Sequence, residues 1–213
     1  MKTQATIINN RSFVHTNDRS IRIALRENLE GSRKENPEIK IIEELGLSHG
    51  AARIDLAVVN GSIHGYELKS DVDTLGRLFE QMQIYNAVLD QITLVVGKCH
   101  LHKAFKMVPE WWGIIIAKIS PSDKGVSFCN IREAIDNPYQ DNVAIASLLW
   151  REEALAILEE RGRAEGVRSK TRIKLYERLT EVMDGQTLKT SVRKCLCSRI
   201  NWRSASQCRP SGD

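Results

Sequence analysis

No stretch of this 213-residue chain is apolar for long enough to cross a bilayer. The longest such runs, ITLVV at 92–96 and WWGIIIA at 111–117, fall well short of the roughly 20 residues a spanning helix needs. The opening MKTQATIINN lacks the apolar centre of a secretory signal. Both absences lead us to expect a cytoplasmic protein with no membrane partner. Cysteines number five, an odd count without framework-like spacing, which suits reduced thiols. CHLH at 99–102 and CLC at 195–197 lack the paired spacing of a zinc site. They read as unrelated surface histidines and half-buried thiols. A glycine-rich phosphate loop and a nucleophile elbow are both missing, so nucleotide-driven and acyl-transfer chemistry have no support. Internal repeats and low-complexity segments are missing too.

What is present is an ordinary globular composition, 42% hydrophobic and 27% charged, with length for one substantial core. The net charge of +4 is uneven: residues 1–160 carry 18 Lys/Arg against 22 Asp/Glu, and residues 161–213 carry 13 against 5. An acidic body with a basic tail suits contact with a polyanion, although a solvated helical face gives the same pattern. NDRSIRIALRENLEG (17–31) predicts a helix with Asp18 as its cap and Gly31 as its stop. EIKIIEELG (38–46) reads as a strand, and AARIDLAVV (51–59) and SIHGYELKS (62–70) as two strands around Asn60-Gly61. The stretch 71–91 predicts a helix with Leu75, Leu78, Phe79, Met82 and Leu89 inward. ITLVVG is a strand buried on both faces. After a short helix at 100–108, two further strands lie at 111–120 and 124–131, with Trp111 and Trp112 in the core rather than stacking on bases. Three amphipathic helical patterns, 143–162, 169–183 and 188–202, follow. The expected organisation is an α/β body at 1–140, a small mixed sheet with helices on it, and a basic helical extension at 141–213.

Within the hairpin, Asp55, Glu67 and Lys69 stand where apolar residues would pack better. Alternation puts Glu67 and Lys69 on one face with Ile63 and Gly65, and Asp55 on one face with Arg53 and Ala57. Whether the two sets meet depends on the turn. A two-residue turn sets Asp55 opposite Tyr66; a three-residue turn, Asn60-Gly61-Ser62, pairs Val59 with Ile63 and Asp55 with Glu67. Opposed carboxylates about 5 Å apart at Cβ can grip a hard cation. Magnesium so held keeps several waters, takes a phosphate oxygen and acidifies a water nucleophile, with Lys69 orienting that water or the phosphate. An acid-x-Lys triplet alone is weak, and a second occurs at 38–40, but without a preceding strand that carries an Asp. On the following helix Arg77, Gln81 and Tyr85 fall at i, i+4 and i+8, a polar line beside the apolar stripe.

Asp55, an eleven-residue gap, and Glu67-Leu68-Lys69 resemble the PD-(D/E)XK nuclease superfamily. Gly50 five residues before Asp55 and Gln81 four before Tyr85 are similar to elements of its RecB-like branch. The run from Glu43 to Asn86, and segments as far as LLWREEAL, resemble a small bacterial and prophage family within it, covering most of residues 18–160. The resemblance implies a restriction-endonuclease-like mixed sheet flanked by helices, and a Mg²⁺-dependent nuclease in which Mn²⁺ would substitute. It implies Asp55, Glu67 and the Leu68 carbonyl as metal ligands and Lys69 as the catalytic lysine. Glu44 is our choice for the first acidic residue, with Glu27 and Glu43 as alternatives; Ile54 stands where the superfamily has its proline. Arg53, Arg77, Gln81 and Tyr85 become nucleic-acid contacts, with DNA favoured over RNA. A homodimer would let one site per chain cut both strands. The competing expectations are a non-cleaving nucleic-acid-binding or adaptor protein on the same fold, and a chain whose basic tail is its working part.

Overall fold

The computed structural model describes residues 15–35, 38–120 and 125–199; the opening segment and the end of the third helical pattern, 200–202, lie outside them. Six β-rich segments form one sheet in sequence order: β1 (Lys40–Leu47), β2 (Ala52–Val59), β3 (Ile63–Lys69), β4 (Gln91–Gly97), β5 (Gly113–Ile119) and β6 (Val126–Arg132). The β1–β2, β2–β3 and β5–β6 pairings are antiparallel, and β3–β4 and β4–β5 are parallel. Each parallel step needs a crossover. α2 (Leu78–Val88) supplies the first and α3 (Leu101–Met107) the second. The expected mixed sheet flanked by helices is present.

On one face α1 (Asp18–Glu35) buries Ile21 and Leu25 against Leu56, Leu68 and Val95. The helix runs through Gly31, around which there is open space. A mid-helix glycine costs about 1 kcal/mol relative to alanine without having to end the helix. The other face is covered by α2 and the C-terminal helices. β4 sends Ile92, Leu94 and Val96 to this second cluster and Val95 to the first, the two-sided burial its apolar run implies. α2 starts later than predicted. Its inward line is Leu78, Met82, Tyr85 and Val88, so Phe79, one residue on and about 100° round the helix, is 62% exposed rather than inward. Trp111 and Trp112 are core residues.

The expected boundary near residue 140 is not a division between cores. Beyond it lie α4 (Asn142–Ala146), α5 (Arg151–Glu160), α6 (Arg172–Val182) and α7 (Gly185–Ser198). The pattern 143–162 is two helices because the backbone is extended at Trp150, whose N–H donates to Glu153 Oε2 at 2.7 Å and starts α5 afresh. Leu175, Tyr176, Leu179, Leu188, Val192 and Leu196 join the same apolar cluster as Ile42, Ile54, Leu78 and Tyr85. Lys40 Nζ, on β1, donates to the Cys197 carbonyl at 2.8 Å, and Lys189 Nζ lies 3.2 Å from Asp90. These helices pack on one another and, through α4 on α2 and α7 on β2, on this side of the sheet, so their apolar stripes are part of the body's core. No described helix is long and apolar enough to cross a membrane.

Candidate active site

The β2–β3 hairpin closes through Asn60, Gly61 and Ser62, with Gly61 at φ 72° and Val59 paired with Ile63. The loop is thus the odd-numbered one. Regular pairing runs to Leu56–Tyr66; the next step in register sets Asp55 opposite Glu67. There a side chain replaces the backbone pair, as Leu68 N donates to Asp55 Oδ2 at 2.8 Å.

β1 is distorted at the same level. Glu44 lies between the Glu43–Leu56 and Leu45–Ile54 pairs, opposite Asp55, and has φ 54°. A left-handed conformation costs a residue with a Cβ roughly 1–2 kcal/mol. Its effect is visible in the packing. Ile42 and Leu45, and likewise Ile54 and Ala57, enter one apolar cluster, although residues three apart on a regular strand face opposite ways. Asp55 therefore does not share a face with both Arg53 and Ala57, as alternation predicts: Ala57 is buried and Arg53 exposed. The kink turns Glu44 and Asp55 toward α1, where Arg22 meets both. Arg22 Nη1 lies 2.9 Å from Glu44 Oε1 and Nη2 lies 2.6 Å from Asp55 Oδ1. Asp18, one turn earlier, takes Nε and Nη2 at 3.3 and 3.2 Å. Burial works against the charge of Arg22, but the hydrogen bonds it donates to Asp18 and the charge of Asp55 outweigh it and raise its pKa.

Glu67 is 1% exposed. Its Oε1 accepts from Lys69 Nζ at 2.6 Å, and its Oε2 lies 2.8 Å from the Tyr85 hydroxyl. Gly65 lets α2 approach this closely, since a Cβ there would lie 2.6 Å from Leu89 Cδ1. The hydroxyl also lies 2.5 Å from the Arg53 carbonyl and accepts from Gln81 Nε2 at 3.0 Å. One phenolic proton faces two acceptors, an arrangement that a protonated Glu67 satisfies by donating to the phenol. Burial, aided by the charge of Asp55, pushes the Glu67 carboxyl up to about 7, against the lowering pull of Lys69 and Tyr85. Between the ordinary 4.5 and about 7, the folded chain holds a proton the unfolded chain has lost, so stability falls as pH rises through that window. In Glu67→Gln this contribution to the slope should vanish; melting temperatures from pH 4 to 8 in chelator, for both proteins, check it.

These groups line a cleft of about 740 Å³. Asp55, Glu67, Leu68, Lys69 and Glu44 are all in its wall, as are Arg53, Arg77 and Gln81. Of the three acids considered at the first position, Glu44 reaches the cleft; Glu43 instead pairs with Arg26 at 2.5 Å, and Glu27 is exposed on α1. Tyr85 is a correction. It is fully buried and positions Glu67 from behind, so it offers nothing to a nucleic acid. Sequence reasoning missed Asp18, Asp73 and Glu80 in the wall, and Arg22 behind it. Asp18 and Arg22 had a signal, their i, i+4 spacing on α1. Among the described residues no group of three or more His, Cys, Asp and Glu is gathered as a metal site.

The chain matches the family model of bacteriophage P4 protein cII over residues 12–210. It belongs to that family. Protein cII of Enterobacteria phage P4 is 33% identical over 75 residues, 35% of this chain. The match spans 28% of that curated relative's length. Among solved structures, the SPO1766 protein of unknown function from Silicibacter pomeroyi has 18% identity and a TM-score of 0.36, over 72% of this chain and 93% of its own. That likeness is too loose to argue from. Membership of the cII family agrees with the phage or prophage setting expected from the sequence, and the cleft remains the feature from which chemistry can be argued.

Proposed function

We propose that this cII-family chain is a Mg²⁺-dependent nuclease of the PD-(D/E)XK type on a restriction-endonuclease-like fold, acting on DNA in the cytoplasm. The observation that carries the reading is the convergence of Asp55, Glu67 and Lys69 at one level of the hairpin, on the wall of an open cleft. The donor set fits a hard divalent cation. Asp55 and Glu67 offer oxygen only, and burial, aided by the charge of Asp55, raises the Glu67 carboxyl even with Arg22 on Asp55 and Lys69 on Glu67, so a further cation would be favoured at this buried point. Asp55 and Glu67, with the Leu68 carbonyl, would hold the ion. When bound, it would neutralise charge developing on the scissile phosphate and activate water. Lys69, fixed by Glu67, has further N–H donors for a phosphate oxygen or the attacking water. Tyr85 and Gln81 hold Glu67 in place.

Charge supports the same reading. The cleft wall carries six acidic side chains against three basic ones, so a polyanion is repelled until cations enter. Mg²⁺ should therefore be required for binding as well as cleavage. A panel of single- and double-stranded DNA and RNA, linear and circular, incubated with Mg²⁺, Mn²⁺ or EDTA is the test. Divalent-dependent cleavage is expected, and a panel left intact under all conditions would overturn the proposal. A homodimer would be needed to cut both strands in one encounter.

A non-cleaving nucleic-acid-binding or adaptor role is the second reading. It draws support from the occupied carboxylates: both oxygens of Asp55 and both of Glu67 already have protein partners. Either reading can use the basic stretch that runs from the end of α5 into the first residue of α6, where Arg163, Lys170 and Arg172 are exposed. It approaches the cleft through His49, which stacks on Tyr176 at 5.7 Å and whose pKa is lowered by burial and by Arg172; Gly50 beside it is in the cleft wall. Replacing these three cations by Gln should weaken DNA binding without changing sequence preference. Binding isotherms across salt concentrations should lose a slope of about 0.9 for each phosphate contact removed; an unchanged slope would make the segment only a solvated face.

A further inference from the structure

Arg22 is the cation already present at the acidic end of the cleft. It reaches from α1 to Asp55 through Nη2 at 2.6 Å, to the Asp55 carbonyl through Nη1 at 3.1 Å, and to Glu44 through Nη1 at 2.9 Å. The other Asp55 oxygen accepts from Leu68 N. Asp55 is thus fully engaged without a metal. A guanidinium cannot relieve repulsion by losing its proton, as a lysine or histidine can. A divalent cation on Asp55 Oδ1 and a guanidinium 2.6 Å from the same atom therefore compete for that oxygen and repel one another. α1 also carries an alternative partner, Asp18, whose carboxylate holds the same guanidinium at the longer distances of 3.2 and 3.3 Å and is about half exposed.

We infer that Arg22 is a resident counter-cation of Asp55 which a divalent metal must displace, so that metal binding and the Arg22–Asp55 contact are mutually exclusive. The inference rests on the metal reading of the cleft. In the metal-free protein Arg22 keeps Asp55, Glu44 and Asp18 together; on metal binding it releases Asp55. Arg22 acts through Asp55 and is a positioning residue. Competition of this kind is reciprocal: whatever Arg22 subtracts from metal affinity, the metal subtracts from the hold of Arg22.

Calorimetric titration of the full chain with Mg²⁺ and with Mn²⁺ tests this, on wild type, Arg22→Gln and Arg53→Gln. The last removes the same charge from the cleft rim without touching Asp55. Arg22→Gln is expected to tighten the metal on the order of tenfold, within the usual range of coupling, and Arg53→Gln by clearly less. The same coupling should appear in melting temperatures, with Arg22→Gln costing stability in EDTA and much less at saturating Mg²⁺. A fixed structural ion pair would cost the same in both. If Arg22→Gln does not fold without metal, the Arg22 Nη–H signal of the wild-type protein, from the nitrogens that hold Asp55, decides the matter: it should shift on Mg²⁺ saturation. An unmoved signal, or equal tightening in the two variants, overturns the inference. Failure of wild type and Arg22→Gln alike to bind either metal overturns both it and the metal reading. Metal binding that depends on Arg22 without any cleavage overturns only the nuclease reading.

Discussion

Lys69→Ala should reduce cleavage at least a hundredfold while leaving DNA affinity in Mg²⁺ near that of wild type. A positioned proton-transfer or charge-stabilising group contributes roughly 10²–10⁴ in rate, and its removal lowers turnover rather than ground-state binding when its interaction forms in the transition state. Its effect on stability depends on pH. Lys69 pairs with a nearly fully buried carboxylate at 2.6 Å, and its own side chain is 13% exposed. Removing one member of a buried pair ordinarily costs about 3–5 kcal/mol because the other charge is stranded. Glu67 has a way out, since burial already pushes its carboxyl up to about 7 and it can take a proton. The variant should therefore melt close to wild type at pH 6 and clearly below it at pH 8 in chelator. Cleavage at the wild-type rate would make Lys69 merely structural. Asp55→Asn should behave differently, raising the Mg²⁺ needed for activity or abolishing activity, because it alters the ion's own contacts.

The distinction between residues that act locally and those that act through tertiary contacts also separates what the sequence made legible from what it did not. The opposition of Asp55 to Glu67 is a matter of parity, and parity is written in the turn: Gly61 supplies the left-handed residue of a three-residue loop. The two-sided burial of β4 is likewise written in its uninterrupted apolar run. Arg22 is different, because it is 33 positions from Asp55 and gains its partner only when α1 packs on the sheet. Glu44 carries no composition signal for a positive φ; glycine or asparagine would have announced one. The kink it makes overturned the simple alternation argument for Arg53 and Ala57. Tyr85 was legible as a polar position on α2 but not as a buried one, since two of the three partners of its hydroxyl, the Arg53 carbonyl and Glu67, come from β2 and β3. The C-terminal helices show the same limit. Amphipathic periodicity marks a face to be buried, yet does not say whether the burying surface is another helix or the sheet.

That last point changes what removal of the basic tail should do. Read from charge alone, deleting residues 161–213 strips phosphate contacts and leaves a folded body. The packing leads to the opposite expectation. Leu175, Tyr176, Leu179, Leu188, Val192 and Leu196 are each completely buried, and they close the same cluster that holds Ile54, Leu78 and Tyr85. Burying a large apolar side chain is worth about 1.5–3 kcal/mol, and six together approach the whole net stability of about 5–15 kcal/mol of a typical domain. Arg199 leaves as well, and with it the 2.8 Å contact to Glu153 Oε1 and the donation to the Leu148 carbonyl at 2.8 Å. A chain ending at residue 160 should therefore lack a cooperative thermal transition and aggregate, exposing the sheet face that also supports α2 and, through Tyr85, Glu67. Loss of cleavage in such a truncation would follow from loss of the fold and would say nothing about phosphate contacts. For that reason the Arg163, Lys170 and Arg172 substitutions, made on exposed side chains, are the ones that separate the two. A truncated chain that melts cooperatively near the full-length temperature would return residues 161–213 to the status of an appended tail, and would require the cluster to be closed by other groups.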